Sequence, residues 1–466
     1  MSKFKELFYE RKWGWEVLDN KAIMEFGEEY KDFLGKAKTE REAVEYAVSL
    51  AEKNGFKKLG EANNLKSGDR VYEVYKNKLV ALAVIGHRSI IEGTRIIGAH
   101  IDAPRLDLKP QPLFEEKDAG LAIFKTQYYG GVKKYQWASI PLALHGVVTL
   151  ADGGTVKIVI GENENEAVLT IPDLAPHIAR KKQGERKGFE LIEGEELKIL
   201  VGNMPIRDKE VEEKVKAMVL KILKERYGIS EEDFVSADLE VVPAFKPRDV
   251  GLDKSMIGGY GQDDRICAYT TLRAILDAKD VEYTAIALLV DREEIGSAGN
   301  TGATSEFIKY FISKLILLTE GKCEEWMLRE ALLKSRAISA DVNVAIHPAY
   351  KDVHDIQNAA VLGKGVVVTK YTGGRGKGGA SEAHAEYVGW VRKILNEKGI
   401  PWQPGLLGKV DEGGGGTIAK FLASYGMDVV DMGPALLAMH SPFEVCSKAD
   451  LYSAYLAYKA FYEAKA

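Results

Sequence analysis

The segment LLVDREEIGSAGN places two carboxylates, Glu293 and Glu294, side by side where an apolar run stops. Other runs end in the same way. IIGAHID closes on His100 and Asp102, AISAD closes on Asp341, VVDMGPALLAMH leads to His440, and GGYGQDDR carries Asp263 and Asp264 just ahead of an amphipathic segment. Imidazoles and carboxylates are the donors that zinc and similar divalent ions accept, and a hydrolytic pair of such ions needs a shared carboxylate to hold them roughly 3.5 to 4 Å apart. Asp263 is the candidate for that shared role. In the glutamate doublet one carboxylate can bind an ion while its neighbour takes a proton from water and returns it to a leaving amine. Two nearby cations would also relieve the repulsion between the pair. Asp102, two residues beyond His100 and on the same side of an extended chain, is placed to accept the second imidazole N–H.

Each of these residues has a structural explanation when taken singly. A strand-end histidine can be a satisfied turn residue, a Glu-Glu pair a solvated loop face, and Asp263 a helix N-cap. It is their combination that favours chemistry. Competing motifs are incomplete: GGRGKGG (373–379) has Gly378 where a phosphate loop needs Ser or Thr and Tyr371 where it needs its first Gly. GGYGQDD lacks the last glycine of a dinucleotide fingerprint, and neither HExxH nor GxSxG occurs.

The elements that would position these residues follow from the apolar periodicity. KLVALAVIG, TRIIGAHID, YTAIALLVD, SRAISADVNV, GVVVTK and MDVVDMG read as short strands, interleaved with helical segments such as ICAYTTLRAILDA, TSEFIKYFISKLILL and AEYVGWVRKILNEKG. That alternation predicts an α/β fold with a largely parallel sheet and helices on both faces, and in such sheets sites form beyond the carboxyl ends of strands. An opening helical stretch includes TEREAVEYAVSLAEKNG, with a capping signal from Thr39 to Glu42. Between residues 108 and 246 the texture changes to a hairpin-like pair, ALHGVVTLADGGTVKIVIG, and a lone amphipathic helix, VEEKVKAMVLKILKERYG. A discontinuous catalytic domain (1–107 and 247–466) with an inserted β-rich domain (108–246) is therefore expected.

Composition narrows the partners. Of 466 residues 46% are hydrophobic and 29% charged, and 64 basic against 69 acidic side chains leave a net charge of −5. There is no basic surplus for nucleic acid or an acidic membrane surface. No run reaches the roughly 18 apolar residues of a membrane span. Cys267, Cys323 and Cys446 are widely separated and form no CxxC, and the opening MSKFKELFYERKWGWEVLDNK lacks the apolar core of a signal peptide. Cytoplasmic residence is the expectation.

In order along the chain, GAHIDAPRLDLKP, QDDR, DREEIGS, ISADVNVAIHP and VDMGPALLAMHSPFEVC resemble the motifs of the aspartyl aminopeptidases, a family of two-metal exopeptidases. The resemblance implies a metallo-aminopeptidase acting on peptides, with two divalent ions per subunit, zinc or alternatively cobalt or manganese. It implies His100, Asp263 and Asp341 on one ion and Asp263, Glu294 and His440 on the other, with Glu293 as general acid/base and Asp102 orienting His100. It further implies that the inserted domain is an oligomerisation domain, that the chain assembles as a tetrahedral homododecamer, and that His177 in IPDLAPHIAR is a candidate to reach a neighbouring subunit's site, the alternative for it being a buried structural histidine.

Two departures from the family pattern bear on specificity. Lys370, in GKGVVVTKYTGGRGKGGASEAHAEY, is displaced by about one residue from the register of the family's substrate-binding lysine, and a one-residue slip in a strand reverses the side chain's face. This leaves a preference for N-terminal Asp or Glu open. Val344 stands where the family commonly has His, so the retained His347 is read as structural or as a support to the metal ligands, outside the catalytic set. Two other functions suit the same residues: a di-metal amidase or deacylase on small amides, and a self-assembling shell protein without catalysis.

Overall fold

Strict alternation of buried side chains builds the central sheet. In the computed structural model, which describes residue 4 and residues 7–465, the strand Arg95–His100 sends Ile97 and Ala99 into one apolar cluster and Ile96 into another. Ala285–Val290 divides likewise, with Ala285, Ala287 and Leu289 on one face and Ile286, Leu288 and Val290 on the other. A strand apolar on both faces must be covered on both. Helices Asn20–Lys36, Gln262–Asp277, Ala385–Glu397 and Lys448–Tyr462 contribute to the first cluster, and Phe307–Glu320, Glu325–Lys334 and Ala419–Ala423 to the second.

This sheet has nine strands, in the order Lys57–Lys58, Arg70–Tyr75, Leu79–Val84, Ala285–Val290, Arg95–His100, Arg336–Ser339, Asp428–Gly433, Val366–Thr369 and Trp402–Pro404. The four central strands, from Ala285–Val290 to Asp428–Gly433, run parallel. Flanking them, Leu79–Val84 and Val366–Thr369 run antiparallel to the central strands they adjoin, Ala285–Val290 and Asp428–Gly433. The sheet is thus mixed, with a parallel centre. Its register pairs Val290 with His100, and Ser339 with both Gly98 and Asp431, so adjacent strands release their polar residues along one edge. A separate five-stranded sheet contains Arg248–Val250, Met256–Gly259, Glu444–Ser447, Ala435–Leu437 and Asn343–Val344.

The predicted capping box is present: Thr39 accepts from the Glu42 amide at 3.3 Å, and Glu42 accepts from the Thr39 amide at 3.2 Å. Reciprocal satisfaction of amides at the first turn fixes where Glu40–Lys53 begins.

The contacts divide the chain into two compact units. One comprises 1–102, 247–439 and 444–466, and holds both sheets described so far; the other comprises 103–246 and 440–443. The second unit is built on a six-stranded sheet, ordered Thr155–Ile160, Leu142–Thr149, Ala237–Pro243, Arg105–Glu116, Leu121–Tyr129 and Lys198–Gly202, with every neighbouring pair antiparallel. Its helix Lys214–Tyr227 stops at Gly228, whose φ of 75° is the left-handed conformation that glycine adopts without strain. Among the described residues, no helix is long and apolar enough to cross a membrane.

Candidate metal centre

His100 is the last residue of a fully buried strand, and its side chain is itself 2% exposed. Three carboxylates surround it. Its Nδ1 lies 3.2 Å from Asp102 Oδ1 and 3.1 Å from the Asp102 carbonyl, and its Nε2 lies 3.3 Å from Asp263 Oδ1 and 3.9 Å from Glu293 Oε2. The backbone amide of His100 donates to Asp264 Oδ2 at 3.3 Å.

Glu293 and Glu294 come from a short turn, Glu293–Ile295, bracketed by left-handed residues Arg292 (φ 67°) and Gly296 (φ 94°). The Asp102 carboxylate fixes this turn, since Oδ1 accepts from the Glu293 amide at 3.1 Å and Oδ2 from the Glu294 amide at 3.2 Å. Asp291, which ends the preceding strand, accepts from the Arg292 amide and from the Thr301 hydroxyl, each at 2.8 Å. Burial, together with the charges of Glu40 and Asp102, pushes the Asp291 carboxyl up to about 6.

Asp263 and Asp264 are joined by a cis peptide bond and have non-helical backbone angles inside the span Gln262–Asp277. The donor atoms of His100, Asp263 and Glu294 lie within 4.8 Å of one another, as do those of His100, Asp264 and Asp341. Burial, and then repulsion from Asp263, raises Asp264 well above the usual carboxylate range; burial followed by repulsion from Asp264 does the same for Asp341. Burial also opposes a charged His100, but hydrogen bonds to Asp102 and Asp263, with the charges of Asp102 and Asp264, outweigh it and raise its affinity for a proton. Buried carboxylates packed this closely need protons or cations to neutralise them. Asp264 Oδ1 is buried and, among the described residues, has no hydrogen-bond partner. An orphaned oxygen within an imidazole and carboxylate set is the chemistry a divalent ion satisfies.

Of the residues singled out in the sequence, His100, Asp102, Asp263, Glu293, Glu294 and Asp341 come together, while His440, Lys370 and His177 enter neither donor group. His440 belongs to the second unit, where its Nδ1 lies 2.9 Å from the Gly131 carbonyl oxygen. His177 is exposed in the short helix Pro176–Ala179 of the same unit. Lys370 is exposed just beyond Val366–Thr369, its carbonyl accepting from the Ala383 amide at 2.8 Å. His347 accepts from the Ala349 amide at 3.1 Å and packs against Tyr350 at a tilt of 38°, with ring centres 4.8 Å apart.

Two participants were not singled out from the sequence. Asp264 was visible as the neighbour of Asp263, and the structure groups it with Asp341. Glu444 carried no local signal: its side chain accepts from the amides of Gln262 and Asp263, residues 182 and 181 positions away.

A parallel-centred α/β sheet with clustered imidazole and carboxylate donors beyond its strand ends is the arrangement of a metal-dependent hydrolase. Comparison with known proteins agrees. Residues 33–462 match the family described as "Aminopeptidase I zinc metalloprotease (M18)". The chain is 52% identical over 447 residues to the "Probable M18 family aminopeptidase 1" of Borrelia garinii subsp. bavariensis, covering 96% of this chain and 97% of that one. A crystal structure of an M18-family aminopeptidase from Thermotoga maritima aligns with a TM-score of 0.94 at 49% identity, covering 98% of this chain and 100% of that one. Aminopeptidase I from Clostridium acetobutylicum gives a TM-score of 0.91 at 45% identity, with coverage of 98% and 100%. The chain belongs to the M18 family of aminopeptidases. It is a metallo-aminopeptidase, a peptide hydrolase acting at the chain end, and neither a non-catalytic shell nor an amidase of small amides is favoured.

Proposed function

We propose that the chain removes N-terminal residues from peptides at a centre holding two divalent ions, with Glu293 as general base and acid. The observation that carries this reading is the convergence of two donor groups on His100, one through Asp263 and Glu294 and the other through Asp264 and Asp341. Asp263 is proposed as the carboxylate shared between the ions. His440 is retained in the ligand set on the strength of its motif, VDMGPALLAMHSPFEVC. Zinc is the preferred ion because the family is described as a zinc metalloprotease, and cobalt and manganese accept the same donors.

When bound, the ions supply Lewis acidity, polarising the scissile carbonyl and lowering the pKa of water. The protein's own residues do the rest. Asp102 holds the His100 ring and both glutamate amides, so one carboxylate sets the aim of the imidazole and of the doublet. Glu294 is directed to the donor group, which leaves Glu293, with a side chain 16% exposed, to take a proton from water and return it to the departing amine.

Self-association into a homododecamer is part of the proposal, with the inserted unit as the assembling element. A Saccharomyces cerevisiae protein of the same fold, 21% identical with a TM-score of 0.75 over 94% of this chain and 96% of that one, is described as a dodecamer. Exposed His177 is the proposed contact with a neighbouring subunit's site, and Lys370 a proposed substrate contact. A cytoplasmic location fits three cysteines that are all unpaired.

The test is a panel of aminoacyl anilides assayed with zinc, cobalt and manganese, each substrate offered with a free and with an acetylated amine. An aminopeptidase hydrolyses only the free amines; equal turnover of the acetylated set would replace this reading with a deacylase. Faster cleavage of Asp and Glu anilides would settle the acidic preference in its favour.

A further inference from the structure

Asp263 and Asp264 sit where a helix should begin, but their backbone angles, φ −81° and ψ 105° then φ −117° and ψ 27°, are not helical. The amides at a helix start have no partners within the helix, and a carboxylate-bearing turn with irregular backbone has little of its own to hold it. A second element supplies the missing acceptor. Glu444, 1% exposed, opens the strand Glu444–Ser447 and pairs in register with Gly259. Its Oε2 accepts from the Gln262 amide at 2.5 Å and from the Asp263 amide at 3.2 Å. The Gln262 carboxamide closes the clamp from the other side, donating to the Glu444 carbonyl at 2.6 Å and the Ile257 carbonyl at 3.1 Å.

We propose that Glu444 is a positioning residue for metal binding: by accepting two consecutive amides, it fixes the backbone from which Asp263 projects toward His100. The side chain does not belong to either donor group, so it acts through the Gln262–Asp263 backbone. A buried anion beside further buried carboxylates is electrostatically unfavourable. The two amide bonds offset part of that cost. This inference rests on the two-ion reading above.

The experiment measures Zn²⁺ affinity by chelator competition, with the melting temperature of the metal-free protein and the kcat and KM of an aminoacyl anilide. Glu444→Ala removes the acceptor and should weaken Zn²⁺ binding roughly 10- to 100-fold, lowering kcat with little change in KM. Glu444→Gln keeps one carbonyl oxygen for both amides and should stay within about threefold of wild type. Glu444→Asp withdraws the oxygen by one methylene and should behave like Glu444→Ala, which keeps the test open if the alanine variant does not fold. A merely structural role would lower the metal-free melting temperature and leave Zn²⁺ affinity intact in the folded variants, and that result overturns the proposal. So would a glutamine variant as weak as the alanine or aspartate variant. Failure of the wild type to bind Zn²⁺, cobalt or manganese would overturn the two-ion reading itself, a result distinct from tight binding by every variant.

Discussion

Asp102 Oδ1 lies 3.2 Å from Nδ1 of His100, and the same carboxylate accepts the amides of Glu293 and Glu294. One fully buried side chain therefore sets both the ring tautomer and the path of the turn bearing the glutamate doublet. Asp102→Ala should weaken metal affinity and lower kcat, each by roughly 10- to 100-fold. Asp102→Asn should cost nearly as much, because an amide group facing a backbone N–H leaves that donor unmatched. Metal titration with steady-state kinetics checks both; wild-type values in either variant would exclude this role.

The two glutamates are adjacent, yet they are assigned different tasks. Glu294 belongs to a donor group with His100 and Asp263, whereas Glu293 does not. Glu293→Gln keeps the shape and removes the proton acceptor, so kcat should fall by about 100-fold or more, in line with loss of general acid/base catalysis. Metal content, measured by plasma emission spectroscopy, should match wild type. Loss of metal from this variant would instead make Glu293 a ligand.

The strand-end residues were legible because a parallel sheet leaves its polar residues at one edge. Asp291, His100 and Asp341 each follow an apolar run, and the register pairing Val290 with His100 and Ser339 with Gly98 brings those ends together. Three features were not legible in the sequence. Glu444 reaches Gln262 across 182 positions, and nothing local to PFEVC marks it. The different placement of Asp263 and Asp264 goes with non-helical backbone angles at both residues, which their position just ahead of an amphipathic segment does not announce. The sheet's mixed flanks were hidden too, since Leu79–Val84 and Val366–Thr369 are as apolar as the parallel strands beside them.

Removal of the ions should be felt in stability as well as activity. Without cations, burial raises the proton affinity of Asp264 and Asp341, with repulsion from Asp263 adding to the first and from Asp264 to the second, and the carboxylates around His100 raise that of its ring. Binding of a divalent ion must displace such protons. Calorimetric titration of metal into the stripped protein, in buffers of different ionisation enthalpy, should show net proton release, and affinity should fall as pH is lowered. Free ion at 100 times its dissociation constant should stabilise the fold by about 2.7 kcal/mol, seen as a higher melting temperature. No proton release at neutral pH would contradict the electrostatic account of the centre.

Away from the centre, Asp450 makes a separate prediction. It is fully buried, with Oδ1 accepting from the Gly365 amide and Oδ2 from the Gly363 amide, both at 2.7 Å. Burial pushes its carboxyl up to about 7, and the two amide bonds only partly offset the shift. The folded chain thus binds this proton more tightly than the unfolded chain, whose value lies near the ordinary 3.8. Its contribution to stability is therefore fully present below about pH 4 and is lost as pH rises through about 7. Asp450→Asn has no proton to lose, and it supplies one acceptor for two amides, leaving a buried N–H unmatched at a cost of about 1 to 3 kcal/mol. The variant should be less stable than wild type in urea denaturation, and the gap between them should narrow from pH 4 to pH 7. A gap that stays constant or widens over that range would show that Asp450 remains ionised in the folded protein.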